Sequence, residues 1–134
     1  MQKHKYLTDL GLKDNEIMQN ICEPDEDREP RWKKQREKYG FDDRETWGLD
    51  VSFCQWLYER LMMYKEIGGQ VIDLNFHKIN IHGHEMTQLE CIDMIIKLLI
   101  PYLTHLDDID NKCYFKDLEE ICYIWGKILP AMWW

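Results

Sequence analysis

At 134 residues the chain is long enough for one domain with its own core. Apolar side chains make up 45% of it, with six Trp and seven Tyr, which argues against disorder despite 31% charged residues. A formal charge of −8 argues against a general nucleic-acid binder, because neutralising phosphates needs a basic face. It suits a soluble chain that meets a basic surface or a polar pocket.

Asp14 is placed to cap a short helix through Ile17, Met18 and Ile21. The run Glu23-Pro24-Asp25-Glu26-Asp27 reads as an acidic linker over 23–29. Pro30 then fits a first helical position, and Gly40 stops the helix that follows. Arg31, Lys33, Lys34, Arg36 and Lys38 make this the one basic stretch, with Trp32 and Tyr39 as its main apolar residues. The plainer reading is a solvated face beside the linker. The sharper one is a contact for an anionic ligand or partner through Arg31, Lys34 and Lys38. Residues 1–38 form an N-terminal helical extension, and 39–134 the main core of a single domain.

Asp42 and Glu45 have capping-box spacing, so a turn of helix starts there. A long helix over 50–67 carries Phe53, Trp56, Leu57, Leu61 and Tyr64 as one broad stripe, and Gly68-Gly69 ends it. Ile79 and Ile81 alternate with Asn80 and His82, which predicts a small hairpin near 78–87 turning at His82-Gly83-His84. Thr87 and Glu90 form a second capping box. The helix they open, through Leu103, is apolar nearly all round and is expected at the centre of the core. A polar turn at 107–111 leads to a last helix over 114–129 with Phe115, Leu118, Ile121, Cys122, Trp125 and Ile128 on its stripe. The fold class is mainly α, a bundle of four to five helices with one small hairpin.

Cys22, Cys54, Cys91, Cys113 and Cys122 are odd in number and lack C-x-x-C spacing, so buried free thiols in a reducing cytoplasm are expected. Met1-Gln2-Lys3-His4-Lys5 leads into no apolar signal core. No apolar run approaches the ~20 residues of a membrane span.

Two clusters could bind metal. Asp42, Asp43, Glu45 and Asp50 offer carboxylates suited to Mg²⁺, although Asp42 and Asp50 also fit helix N-caps, with Arg44 neutralising a neighbour and Trp47 stapled into the core. His77, His82 and His84 offer imidazoles suited to Zn²⁺, although His77 beside Phe76 fits a half-buried, hydrogen-bonded side chain. Neither cluster displaces its plainer reading, and no metal or other cofactor is assigned. Glu90-x-x-Asp93, with Glu59, Glu119 and Glu120 on neighbouring helices, resembles half of the paired acids with which helical nucleotide pyrophosphohydrolases hold Mg²⁺. The second pair is missing. No phosphate-binding glycine loop or nucleophile elbow is present, and Cys54 and Cys91 sit on apolar faces that disfavour a thiolate. The chain is read as no enzyme.

The run from Tyr39 to Asp50, YGFDDRETWGLD, resembles a motif of short uncharacterised phage and prophage proteins of Gram-positive bacteria. The stretch Ile72 to Lys78, the Thr87-Gln88 helix opening and Trp133-Trp134 agree with it. The resemblance implies a mobile-element origin, action in the host cytoplasm, and by analogy an inhibitor of a bacterial defence component. The expected partner is a host protein. The alternative is a sponge that sequesters a nucleotide signal, with the basic helix on the phosphate and an aromatic on the base. Trp56 and Trp125 are accounted for by core packing, whereas Trp133 and Trp134 are candidates for a partner contact or a homodimer seam.

Overall fold

The computed structural model describes residues 3–21, 29–104 and 113–133. Cys22, the acidic linker up to residue 28, the polar turn at 107–111 and Trp134 lie outside the described residues. In chain order the helices are α1 (Lys5–Leu10), α2 (Met18–Ile21), α3 (Pro30–Tyr39), α4 (Leu49–Ile67), α5 (Gln88–Thr104) and α6 (Cys113–Ile128). Strands β1 (Lys78–Ile81) and β2 (His84–Thr87) form one antiparallel pair. The fold is mainly α with a small hairpin, and among the described residues no helix is long and apolar enough to cross a membrane. Residues 1–57 and 58–134 form two units, with the boundary inside α4.

In the first unit, α1 carries the buried Leu7 and closes at Gly11, whose backbone sits in the left-handed region. A 3-10 turn over Asp14–Glu16 precedes α2. Asp14 therefore lies inside that turn, four residues before α2 rather than at its start. The segment is tied instead by Gln55 of α4, which is buried. Its side-chain oxygen accepts from the Met18 amide at 2.9 Å, and its amide donates to the Glu16 carbonyl at 2.8 Å. A buried glutamine is tolerated because both ends of its amide are satisfied. Pro30 and Gly40 bound α3 as expected, the Gly40 amide donating to the Arg36 carbonyl at 2.9 Å.

Helix α4 starts one residue before Asp50, so Asp50 lies in its first turn rather than capping it. A carboxylate there still meets the positive end of the helix dipole. The buried face also differs from the expected stripe. Cys54, Leu57, Tyr58 and Leu61 are buried, while Trp56 is 45% exposed and stacks on half-buried Phe53 at 6.4 Å. Leu57 and Leu61 satisfy either reading at a helical period, and apolar residues on both flanks leave the choice of face to the partners.

In the second unit, α5 begins with its capping box intact. The Glu90 amide donates to Thr87 Oγ1 at 3.1 Å and the Thr87 amide to Glu90 Oε1 at 3.2 Å. Cys91, Ile92, Ile95, Leu99, Tyr102 and Leu103 are buried, and α6 packs against this helix. On α6 the buried stripe is Ile121, Ile124 and Ile128; Phe115 and Cys122, expected inside, are exposed. Cys122 is thus an accessible thiol, unlike Cys54 and Cys91.

The hairpin pairs Ile79 with Met86 and Ile81 with His84. His82 (φ 50°) and Gly83 (φ 84°) are both left-handed, as a type I′ two-residue turn requires, and Asn80 Oδ1 accepts the Gly83 amide at 2.8 Å. A Gly83→Ala substitution meets open space but keeps the unfavourable φ. It is expected to destabilise the second unit by about 1 kcal/mol, read as a lower urea midpoint.

Candidate functional site

The acid-rich run after α3 is a latch built on Asp42. Its carboxylate is 1% exposed and accepts from the Arg44 backbone amide at 3.0 Å, capping the 3-10 turn Asp43–Thr46. It also takes Arg44 Nε at 3.0 Å, Arg44 Nη2 at 2.8 Å and Arg36 Nη1 at 2.9 Å. The Arg44 side-chain hydrogen bonds, above all, hold the Asp42 carboxyl down at about 2, against the opposing effect of burial. Arg44 is itself only 3% exposed, and its guanidinium lies over the Trp32 ring at 4.2 Å. Trp32 Nε1 donates to Asp43 Oδ1 at 2.9 Å. Gln35 accepts the Asp43 amide at 2.9 Å and donates to Asp43 Oδ2 at 3.3 Å. Trp47 meets the Trp32 ring edge-on at 6.2 Å and is about half exposed, so it does not staple the run into a core.

Asp42 and Asp43 therefore already hold N–H donors, and Glu45 is exposed. The three histidines are likewise not gathered. His82 Nε2 bonds both oxygens of Glu120, at 2.8 and 2.9 Å, and its ring stacks on Tyr123 at 4.3 Å, fastening the hairpin to α6. His77 is exposed rather than half-buried, its ring edge-on to Phe76 and its carbonyl accepting the Gln88 amide. His84 is exposed at the start of β2. Among the described residues no group of three or more His, Cys, Asp or Glu is placed to hold a metal ion. Of the remaining acids, Glu90 caps α5, Asp93 pairs with Lys65 at 2.6 Å, Glu120 holds His82, Glu59 lies 3.6 Å from Arg60, and Glu119 is exposed. Burial, then the nearby Glu90, pushes the Cys91 thiol up, away from a reactive thiolate.

What the latch leaves outward is the basic side of α3. Trp32, Gln35 and Arg36 point their polar groups at the 42–44 segment, and Arg31, Lys34, Gln35, Lys38 and Tyr39 line an open depression of about 470 Å³. Arg31 makes long ion pairs to Glu29 at 3.4 Å and Asp43 at 3.5 Å. Lys38 Nζ sits 5.0 Å from the centre of the Tyr39 ring, which is 58% exposed and contacts Phe41 at 6.3 Å. The structure thus brings together Arg31, Lys34 and Lys38, the three cations singled out from the sequence, and adds Gln35 and Tyr39.

Set against protein-family models, curated proteins and solved structures, the chain matches none. The groove must be read from its own chemistry. Sequence reasoning missed Tyr39 as a lining residue, although its position one residue past Lys38, at the glycine-capped end of α3, marks it as an aromatic with nothing beyond it on the helix. Trp133, in the second unit, is 73% exposed, its amide donating to the Ala131 carbonyl at 3.2 Å.

Proposed function

We propose that this protein is a non-enzymatic binder that attaches to a host protein through the basic side of α3. In this reading it is encoded by a phage or prophage, works in the bacterial cytoplasm and inhibits a defence component. The observation that carries the reading is the groove itself: three cations and an exposed tyrosine on one rigid helix within an acidic chain. Its openness favours a macromolecular partner, because small-molecule sites enclose roughly 70–90% of their ligand. The separate engagement of Glu90, Asp93 and Glu120 supports the absence of a metal-dependent hydrolase. The resemblance of residues 39–50 supports the phage origin. A second reading, a nucleotide sponge, draws on Tyr39 standing beside Lys38, a ring and an ammonium that a base and a phosphate could use.

Affinity capture from a bacterial lysate, with wild type and Lys34→Glu/Lys38→Glu side by side, tests the first reading. A host protein is expected on the wild type and roughly tenfold less of it on the variant, as loss of an interface's main contacts predicts. Incubation with nucleotides and Mg²⁺ is expected to give neither turnover nor tight binding. Turnover overturns the binder in favour of an enzyme, and retained nucleotide without a host protein overturns it in favour of the sponge.

A further inference from the structure

We infer that the groove on α3 receives an acidic helix of the partner, with carboxylates one helical turn apart; this rests on the binder reading above. Between residues 31 and 38 stand five cations and one carboxylate, in a chain whose net charge is −8. Three of those cations, Arg31, Lys34 and Lys38, line the groove at a spacing of three and then four residues. At 1.5 Å per residue their backbone positions span roughly 10 Å. A partner helix with acids at i, i+3 and i+7 repeats that rise and sets three carboxylates opposite three cations. An extended strand spaces same-face side chains by roughly 6.6 Å, so three acids would overrun the cations.

Carboxylates are also what the groove already accepts. Arg31 reaches Glu29 and Asp43 of this chain at 3.4 and 3.5 Å, well outside the ~2.7–2.9 Å of a tight charge-assisted pair. Such long, solvent-exposed pairs are weak and leave the guanidinium able to take a better-placed carboxylate. Tyr39, with Phe41 against it, supplies an apolar stop at the C-terminal end of the strip, where a partner's leucine or phenylalanine would seat. The other side of α3 is fixed by Trp32 and Arg36, and Gln35 at the groove's edge is held by Asp43, so docking orders little backbone.

The probe is a synthetic helical peptide with Glu at i, i+3 and i+7 and Leu one turn further on, compared with a scramble of the same composition. Binding to the whole protein is read by fluorescence anisotropy at low and raised salt. The patterned peptide is expected to bind roughly tenfold more tightly than the scramble, to weaken with salt, and to lose roughly tenfold on Lys34→Glu/Lys38→Glu. Lys33→Glu reverses one charge on the same helix outside the groove and is expected to change affinity by less than about twofold, whereas Lys34→Glu alone, the same change of charge inside the groove, is expected to weaken it by more. Equal binding of the scramble, equal binding by the groove variant, or an equal loss on Lys33→Glu each overturns the inference, as does displacement of the peptide by stoichiometric nucleotide triphosphate. The two proposals fail differently. A host protein captured equally by wild type and groove variant sinks the groove and the attachment through α3, and leaves only a binder that docks elsewhere. Peptide binding with no host protein captured does the reverse.

Discussion

Replacing Asp42 with Ala is expected to destabilise the first unit by about 3–5 kcal/mol, the cost of removing one partner from a buried ion pair. The substitution takes the carboxylate from Arg44, a guanidinium that is 3% exposed, and from Arg36 at 2.9 Å. It also removes the cap on the Arg44 amide. Trp32 and Trp47, two of the six tryptophans, lie in the same cluster, so urea denaturation followed by tryptophan fluorescence includes its loss. A loss under about 1 kcal/mol would show that Arg44 is satisfied without Asp42. The pH dependence has a fixed sign. The carboxyl titrates at about 2 in the folded chain against 3.8 ordinarily, so its stabilisation is complete above about pH 4 and disappears as pH falls through about 2. In Asp42→Ala that acid-dependent contribution should be missing.

Ile95→Asp is expected to unfold the second unit. Ile95 is fully buried in the middle of α5, and an unpaired charge placed there costs several kcal/mol, comparable with the whole folding margin of about 5–15 kcal/mol. Circular dichroism should show the helical signal collapse. Ile100→Asp, on the same helix but 36% exposed, should cost clearly less than Ile95→Asp and leave the helical signal in place. A folded Ile95→Asp variant with an unchanged spectrum would remove α5 from the centre of this unit.

That contrast also marks where sequence reasoning stops. Ile95 and Ile100 are the same residue in the same apolar run, and composition cannot rank them. The same limit applies to α4, where Phe53 and Trp56 on one flank, and Cys54 and Tyr58 on the other, suit a helical stripe equally. Only the packing chose the second. The candidate groove was half legible, because Arg31, Lys34 and Lys38 follow a helical spacing, while the latch that turns them outward depends on Asp43 meeting Trp32 and Gln35 across a chain reversal. Trp47 and His77 looked internal by residue type and local context, and are exposed.

By itself the sequence determined the features whose chemistry is complete within a few neighbouring residues: Pro30 and Gly40 bounding α3, Thr87 and Glu90 opening α5, and the His82-Gly83 turn that sets the hairpin register. A cap or tight turn satisfies its own backbone groups, so its signal is local. The tertiary structure decided the rest, because each of those choices needs a partner far along the chain. Gln55 ties to Glu16 and Met18 across 39 and 37 residues, and His82 clamps Glu120 across 38. A buried amide or an imidazole has many possible partners in sequence, and only folding selects the one that satisfies it.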